Sequence, residues 1–370
     1  MAYKILIVSK SFYPVIAPRS FRATELAKEL ARQQHEVTVL TIRNESVHTE
    51  FERQYNLTIK DLGKLTYPPV VLKGSGIAAT ARRGLRRILQ LAAEYPDVEL
   101  VSKVGSALRH ESGYDLLISI AAPFPVHWGV ASAISKTHKP GKVWVADCGD
   151  PYFGDTADSF RKPFYFKYVE SWFLKKADYV TIPIEAARSR YFEEFHDKIV
   201  VIPQGFNFDD VEAIEYVPNA VPTFIYAGNF IPGYRDPGPF LELLTKIGKP
   251  FKFVVYTQSE MLVRPYAARL GEKLEIRPFV ARDLLLKELG KADFLVNFNN
   301  SSVFQSPSKL IDYKLAARPI LNVDFNNANL EHLEQFLEGS YQNQYVINNI
   351  ADYDIKNVAG KFLSLIEPQR

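Results

Sequence analysis

Cysteine is almost missing: Cys148 is the single one in 370 residues. That excludes an internal disulfide framework and a zinc site built from cysteines. Histidine is present, yet no pair is spaced as His-Glu-x-x-His, and no Gly-x-Ser-x-Gly elbow occurs. Neither a zinc peptidase nor a serine hydrolase is therefore written here. After the first apolar run, "SKSFYPVIAPRS" lacks the G-x-G-x-x-G turn that cradles a dinucleotide pyrophosphate. No stretch approaches ~18 consecutive apolar residues, so no membrane-spanning helix is expected. The start, "MAYKILIVSKSFYP", lacks a basic leader followed by a longer apolar core and reads as a first strand, which makes the cytoplasm the expected location. A formal net charge of +3 is too small to point to nucleic acid.

What is there is an ordinary globular composition, 47% hydrophobic and 24% charged, over a length that usually needs two cores. "YKILIVS", the amphipathic "SFRATELAKELARQQ" and "HEVTVLTI" form a strand–helix–strand unit. "YDLLISI", a helix from about Val126 to Thr137, "KVWVADC", a helix from about Phe160 to Lys176, "DYVTIP", a helix around Ala186 to Phe195, and "KIVVIPQ" continue it. Buried strands alternating with helices predict a parallel sheet covered on both faces. The acidic, turn-rich residues 205–222 break this periodicity and read as a linker. Alternation then restarts with "TFIYAGNF", a helix near Gly238 to Lys246, "FKFVVYT", a helix from Glu260 to Leu270, "LEIRPF", "ARDLLLKELGKA", "DFLVNFN" and "PILNV". The expectation is an α/β chain of two doubly wound domains, 1–204 and 223–350, a ligand crevice between them, and a terminal helix in 351–370.

Two stretches carry chemistry of their own. In "TARRGLRRILQLAAEY", Arg82, Arg83, Arg86 and Arg87 share a helix with Leu85, Ile88, Leu89 and Leu91. That pattern suits a basic amphipathic helix on an anionic membrane, or equally a helix with a solvated basic face over its own core. In "VFQSPSKLIDYKLAARPIL", Ser306 reads as an N-cap with Pro307 at the first helical position. The amides near Ser308, Lys309 and Leu310 then suit a phosphate, to which Lys309 adds charge. Asp312, one turn on, can accept from a ribose diol. A well-capped helix whose Asp merely favours the dipole is the alternative.

At this stretch the chain resembles the retaining GT-B glycosyltransferases, in particular glycosyltransferase family 4, whose members carry "PSKLFEYMAAGKPVL"-like helices. The resemblance continues in order through "KILIVSKSFYP", "AAPFPVHWGVASAI", "VADCGDPY", "KADYVTIP…KIVVIPQGFN" and "FIYAGNF…RDP". It implies a nucleotide-sugar donor bound by the C-terminal domain and an acceptor brought by the N-terminal one. No Asp-x-Asp of the metal-dependent GT-A kind is seen, so no metal and no cofactor are expected.

The resemblance also implies roles. Asp312 matches the second acid of the family's Glu-x7-Glu motif; the first falls at Phe304, so its role passes to backbone amides or Ser306. Lys309 and Arg235 would meet the phosphates, and Gly228 and Asn229 form the glycine turn of the donor domain. Phe279 and Val280 stand where the base is read through the main chain. His127 would face the transferred sugar, and Asp150 would orient His127 or the acceptor hydroxyl, or cap a turn. Arg19 and Arg22 sit at the first strand–helix turn, on the acceptor or sugar side. Cys148 is read as a small buried hydrophobe.

The implied reaction is metal-independent sugar transfer with retention, in bacterial surface polysaccharide assembly, on a glycan or lipid-linked glycan acceptor. The rivals are a nucleotide-sugar epimerase or hydrolase, and a non-catalytic sugar- or nucleotide-binding partner protein on the same fold.

Overall fold

The computed structural model describes residues 2–70, 76–155, 160–209, 215–233, 235–298, 309–324, 329–347 and 349–367. The chain divides into two compact units, residues 1–206 with 354–370, and residues 207–353.

The first unit is wound on seven strands: β1 (Lys4–Ser9), β2 (Glu36–Thr41), β3 (Thr58–Asp61), β4 (Tyr114–Ala121), β5 (Gly141–Cys148), β6 (Tyr179–Ile182) and β7 (Ile199–Val201). All pairs are parallel in the order β3-β2-β1-β4-β5-β6-β7, and the order reverses between β1 and β4. Period-two alternation sends Leu6 and Val8 into one hydrophobic layer and Ile5 and Ile7 into the other. The second layer is completed by the end of the chain. The Ile355–Ser364 helix lays Ile355, Val358, Ala359 and Phe362 into the core beneath the Pro18–Arg32 helix.

The second unit repeats the plan with β8 (Thr223–Ala227), β9 (Lys252–Tyr256), β10 (Leu274–Arg277), β11 (Phe294–Phe298) and β12 (Ile320–Val323), all parallel in the order β10-β9-β8-β11-β12. Its reversal lies between β8 and β11. One face is aromatic, with Phe224 stacked on Phe253 and Phe294 at ring separations of 4.8 and 4.7 Å. The other takes Leu310 and Tyr313 from the Lys309–Leu315 helix.

Prolines account for two departures from the periodicity. The helix expected from Phe160 begins at Phe166, because Pro163 has no N–H and disfavours helix in the residue before it. The segment expected as one helix from Glu260 splits into a 3-10 turn, Glu260–Leu262, and a helix, Arg264–Leu270, with Pro265 in its first turn. The 186–195 region is two 3-10 segments, Glu185–Arg190 and Glu193–Lys198, not an α-helix. Among the described residues no helix is long and apolar enough to cross a membrane.

Candidate active site

In open parallel sheets, ligands bind beyond the carboxyl ends of the strands where the order reverses. In the second unit that point is the end of β8, and the chain turns there through Gly228 and Asn229. Gly228 has φ +149°, and a Cβ on it would lie 3.0 Å from the Tyr226 hydroxyl. Glycine is therefore demanded by space as well as by conformation. The Asn229 carbonyl accepts from Tyr226 Oη at 3.1 Å and from Arg235 Nη1 at 3.2 Å, while its Oδ1 accepts from the Gln258 amide at 3.0 Å. Arg235 is set by a two-way backbone bridge with Ile231, of 2.7 and 3.0 Å.

Lys309 opens the described part of the helix that follows β11. Its Nζ is buried and finds no hydrogen-bond acceptor among the described residues. It lies instead 4.6 Å from the centroid of the Tyr226 ring. Burial, with the charge of Arg235 adding to it, holds the ammonium well below the ordinary lysine range. Burial likewise pushes the Tyr226 phenol up to about 12, with Arg235 opposing. Two cations and a phenol thus converge where β8 ends. Such a group is ready for an anion.

Asp312 is mostly buried and its Oδ1 receives Arg282 Nε at 2.8 Å. Burial raises this carboxyl, and Arg282 acts against the rise. Leu310 is a core residue. Phe279, half-exposed, and Val280, partly buried, follow β10 as expected for a strand end. Ser306, Ser308 and Phe304 lie outside the described residues.

In the first unit the reversal lies between β1 and β4. There the structure gives a different account of two residues read from the sequence. Arg22 is buried: Nη2 donates to Asp147 Oδ1 at 2.9 Å and to the Ile202 carbonyl at 3.2 Å, and Nη1 donates to the Pro203 carbonyl. Its guanidinium also covers the Phe362 ring at 5.0 Å. Every face is taken, so here it ties the first and last helices to the sheet and does not present itself to an acceptor.

His127 is also fully enclosed. Nδ1 meets Ser119 Oγ at 2.8 Å, Nε2 meets Cys148 Sγ at 3.5 Å, and Phe173 stacks on the ring at 5.3 Å. Burial lowers its pKa to about 3, with Asp147 opposing, so the ring is neutral and packed in the core. It does not face a sugar in this arrangement.

Arg19 is the more accessible of the arginine pair. It bonds to the Asp147 carboxylate and donates to the Asp147 carbonyl at 2.9 Å. Gly149 makes room for it: a Cβ there would stand 3.1 Å from the guanidinium. Asp150 is exposed as a residue, yet its carboxyl is partly withdrawn from solvent and raised by that desolvation, with Arg19 opposing and Asp155 adding. Cys148 is buried as expected.

The sequence reading passed over Asp147, Tyr226 and Arg282. Asp147 takes both arginines and Thr181 Oγ1, the last at 2.7 Å. Burial would raise its carboxyl, but Arg19 and Arg22 outweigh that and hold it well below the carboxylate range. An acid inside the apolar "VWVADC" strand was the signal, since buried charge needs a partner. Tyr226 and Arg282 left no comparable mark. No three His, Cys, Asp or Glu side chains gather as a metal site among the described residues.

The sequence profile described as Glycosyltransferase Family 4 matches residues 21–210. No curated protein matches the chain by sequence. Among solved structures, a glycosyltransferase from Rickettsia africae is similar over 98% of this chain and 94% of its own, with TM-score 0.57 and 14% identity. TarM of S. aureus, solved with UDP among its ligands, is similar over 99% of this chain and 100% of its own, with TM-score 0.60 and 10% identity. A putative UDP-N-acetylglucosamine 2-epimerase from Listeria monocytogenes is similar over 99% and 96%, with TM-score 0.57 and 14% identity. Two doubly wound parallel units with these neighbours define a fold of GT-B type. The chain belongs to Glycosyltransferase Family 4.

Proposed function

We propose that this enzyme transfers a sugar, with retention and without a metal, from a nucleoside-diphosphate sugar to an acceptor hydroxyl. The observation that carries the reading is the Lys309 ammonium, buried without an acceptor among the described residues while Arg235 acts on it as a second positive charge. A buried ammonium beside a second positive charge costs free energy unless an anion joins it. The leaving group of this reaction is such an anion. Its charge grows as the glycosidic bond breaks, and fixed cations that meet it lower the barrier.

On this reading Asp312 accepts from the donor ribose and the main chain at Phe279 and Val280 reads the base. Residues 1–204 recognise the acceptor, residues 223–350 hold the donor, 205–222 link them and 351–370 form the terminal helix. The departing phosphate oxygen takes the acceptor proton on the face it leaves, so the chain supplies charge and positioning rather than a strong base. The setting is the cytoplasmic assembly of a bacterial surface polysaccharide on a glycan or lipid-linked acceptor.

The test is calorimetric titration with UDP, GDP, CDP and ADP, repeated on Lys309→Ala. One diphosphate should bind, its monophosphate should bind more weakly, and the variant should lose about tenfold or more in affinity. Binding of no nucleotide, or equal binding by the variant, removes the donor-site assignment. Turnover that survives chelator and keeps the donor's anomeric configuration tests the rest.

A further inference from the structure

We infer that the first unit docks on an anionic lipid surface through two adjoining elements, the Ile77–Ala93 helix and the segment Phe160–Lys176. Little of the helix covers a core: among its described side chains only Ala79 is buried. Ile77, Leu85 and Ile88 lie on one side of it at 91%, 51% and 63% exposure, where a helix serving its own fold would be buried. Its other side carries Arg82, Arg83, Arg86 and Arg87, with no acidic residue anywhere from Ile77 to Ala93.

The second element has the same chemistry. Phe160, Phe164 and Tyr168 are 59%, 76% and 68% exposed, and Trp172 38%. Lys167 and Lys175 are exposed beside them, whereas Glu170 of the same helix is buried. The two elements touch. The Arg87 guanidinium lies 5.6 Å from the Phe160 ring, Tyr165 Oη donates to the Ala92 carbonyl, and Lys162 bonds to Glu94 just past the helix end. The two adjoining elements therefore combine exposed aliphatic and aromatic side chains with a helix that carries four arginines and no acid.

Aliphatic side chains enter the acyl boundary, Trp and Tyr favour the headgroup level, and arginines meet lipid phosphates. A nucleic acid would use the charge and leave Ile77, Leu85 and Ile88 without a partner. Lipid phosphate uses both. This inference does not rest on the donor-site reading, because docking needs no nucleotide.

The test is flotation of the full chain with phosphatidylcholine vesicles containing phosphatidylglycerol, against pure phosphatidylcholine. The chain should float with the anionic vesicles and far less with the neutral ones. Arg83→Ala with Arg86→Ala should lower partitioning about thirtyfold. Leu85→Ser with Ile88→Ser should lower it at unchanged charge, and both pairs are exposed, so their melting should match the parent. Tryptophan emission gives a second readout, since Trp128 and Trp144 are buried and Trp172 is the exposed one. It should shift to the blue on binding and lose that shift in Trp172→Phe. No flotation, equal flotation on both vesicles, binding unaffected by either pair, or capture by duplex DNA in place of vesicles would overturn the inference.

Discussion

Lys309 and Tyr226 are held as cation over ring, 4.6 Å from Nζ to centroid, with no carboxylate among the described residues in the contact. A cation–π contact is worth about 0.5–2 kcal/mol. Taking an ammonium out of water without a hydrogen-bonded counter-ion costs several times that. The pair is therefore a net expense to the unliganded fold, and it makes sense where a ligand supplies the missing charge.

Replacing Lys309 by Met should separate the two effects. The variant keeps the stem against Tyr226 and loses the charge, so its melting temperature should rise by roughly 2–4 °C, equivalent to about 1 kcal/mol. Affinity for the best-binding nucleoside diphosphate should fall in the same protein. Differential scanning calorimetry with and without ligand reads both. A lysine that only supported the fold would give the opposite sign on melting.

The same lysine predicts proton linkage. Its ammonium is held below the ordinary range by burial and Arg235, and a bound diphosphate would raise it again. Above the unliganded pKa, binding must take up a proton, so affinity should weaken as pH rises through that value. Titrations in buffers of different ionisation heat should show uptake, absent in Lys309→Met. Identical proton counts in the two proteins would count against a charged Lys309 at the ligand.

The alternation of strands and helices was legible because each strand is an aliphatic run such as Ile5–Val8 or Val143–Val145, and each helix has its own period. β3 was not, for "TIKD" is a short, half-polar edge strand held by its register with β2. Lys309 and Asp312 were singled out by local order in the sequence, and Arg235 by the family resemblance. Their surroundings were not, since Tyr226 and Arg282 are 83 and 30 residues from Lys309 and Asp312 in the chain and meet them through the sheet. His127 shows the converse. A polar residue in a matching motif looks functional in one dimension, while its burial is a property of Ser119, Cys148 and Phe173 around it.

Asp147 should be a keystone of the first unit. Asp147→Asn leaves the buried Arg22 and the partly buried Arg19 without their charge partner, which should cost about 3–5 kcal/mol near neutral pH. The carboxyl is held well below its unfolded value, so its contribution is complete above about pH 3.9 and declines as pH falls from there towards the folded pKa. The penalty of the substitution should shrink in acid accordingly. Denaturant midpoints of both proteins, taken at neutral pH and below the unfolded value, check the sign. A pH-independent penalty would mean that the amide fails by shape and not by charge.

Glu170 should act in the reverse direction. It is buried, its Oε2 has no hydrogen-bond partner among the described residues, and its Oε1 receives the Phe153 amide at the long distance of 3.5 Å. Burial pushes its pKa up to about 7, against the pull of the Phe153 and Tyr152 amides. A raised acid binds its proton more tightly folded than unfolded, so stability is full below the unfolded value and declines as pH rises to the folded one. Across that window the loss approaches roughly 3 kcal/mol, with a plateau above. Gln mimics the neutral acid. Glu170→Gln should therefore match the parent in mild acid, exceed it above neutrality, and remove the slope between. Parallel midpoints at every pH would show that the carboxyl is already charged in the core, and that an unseen donor satisfies it.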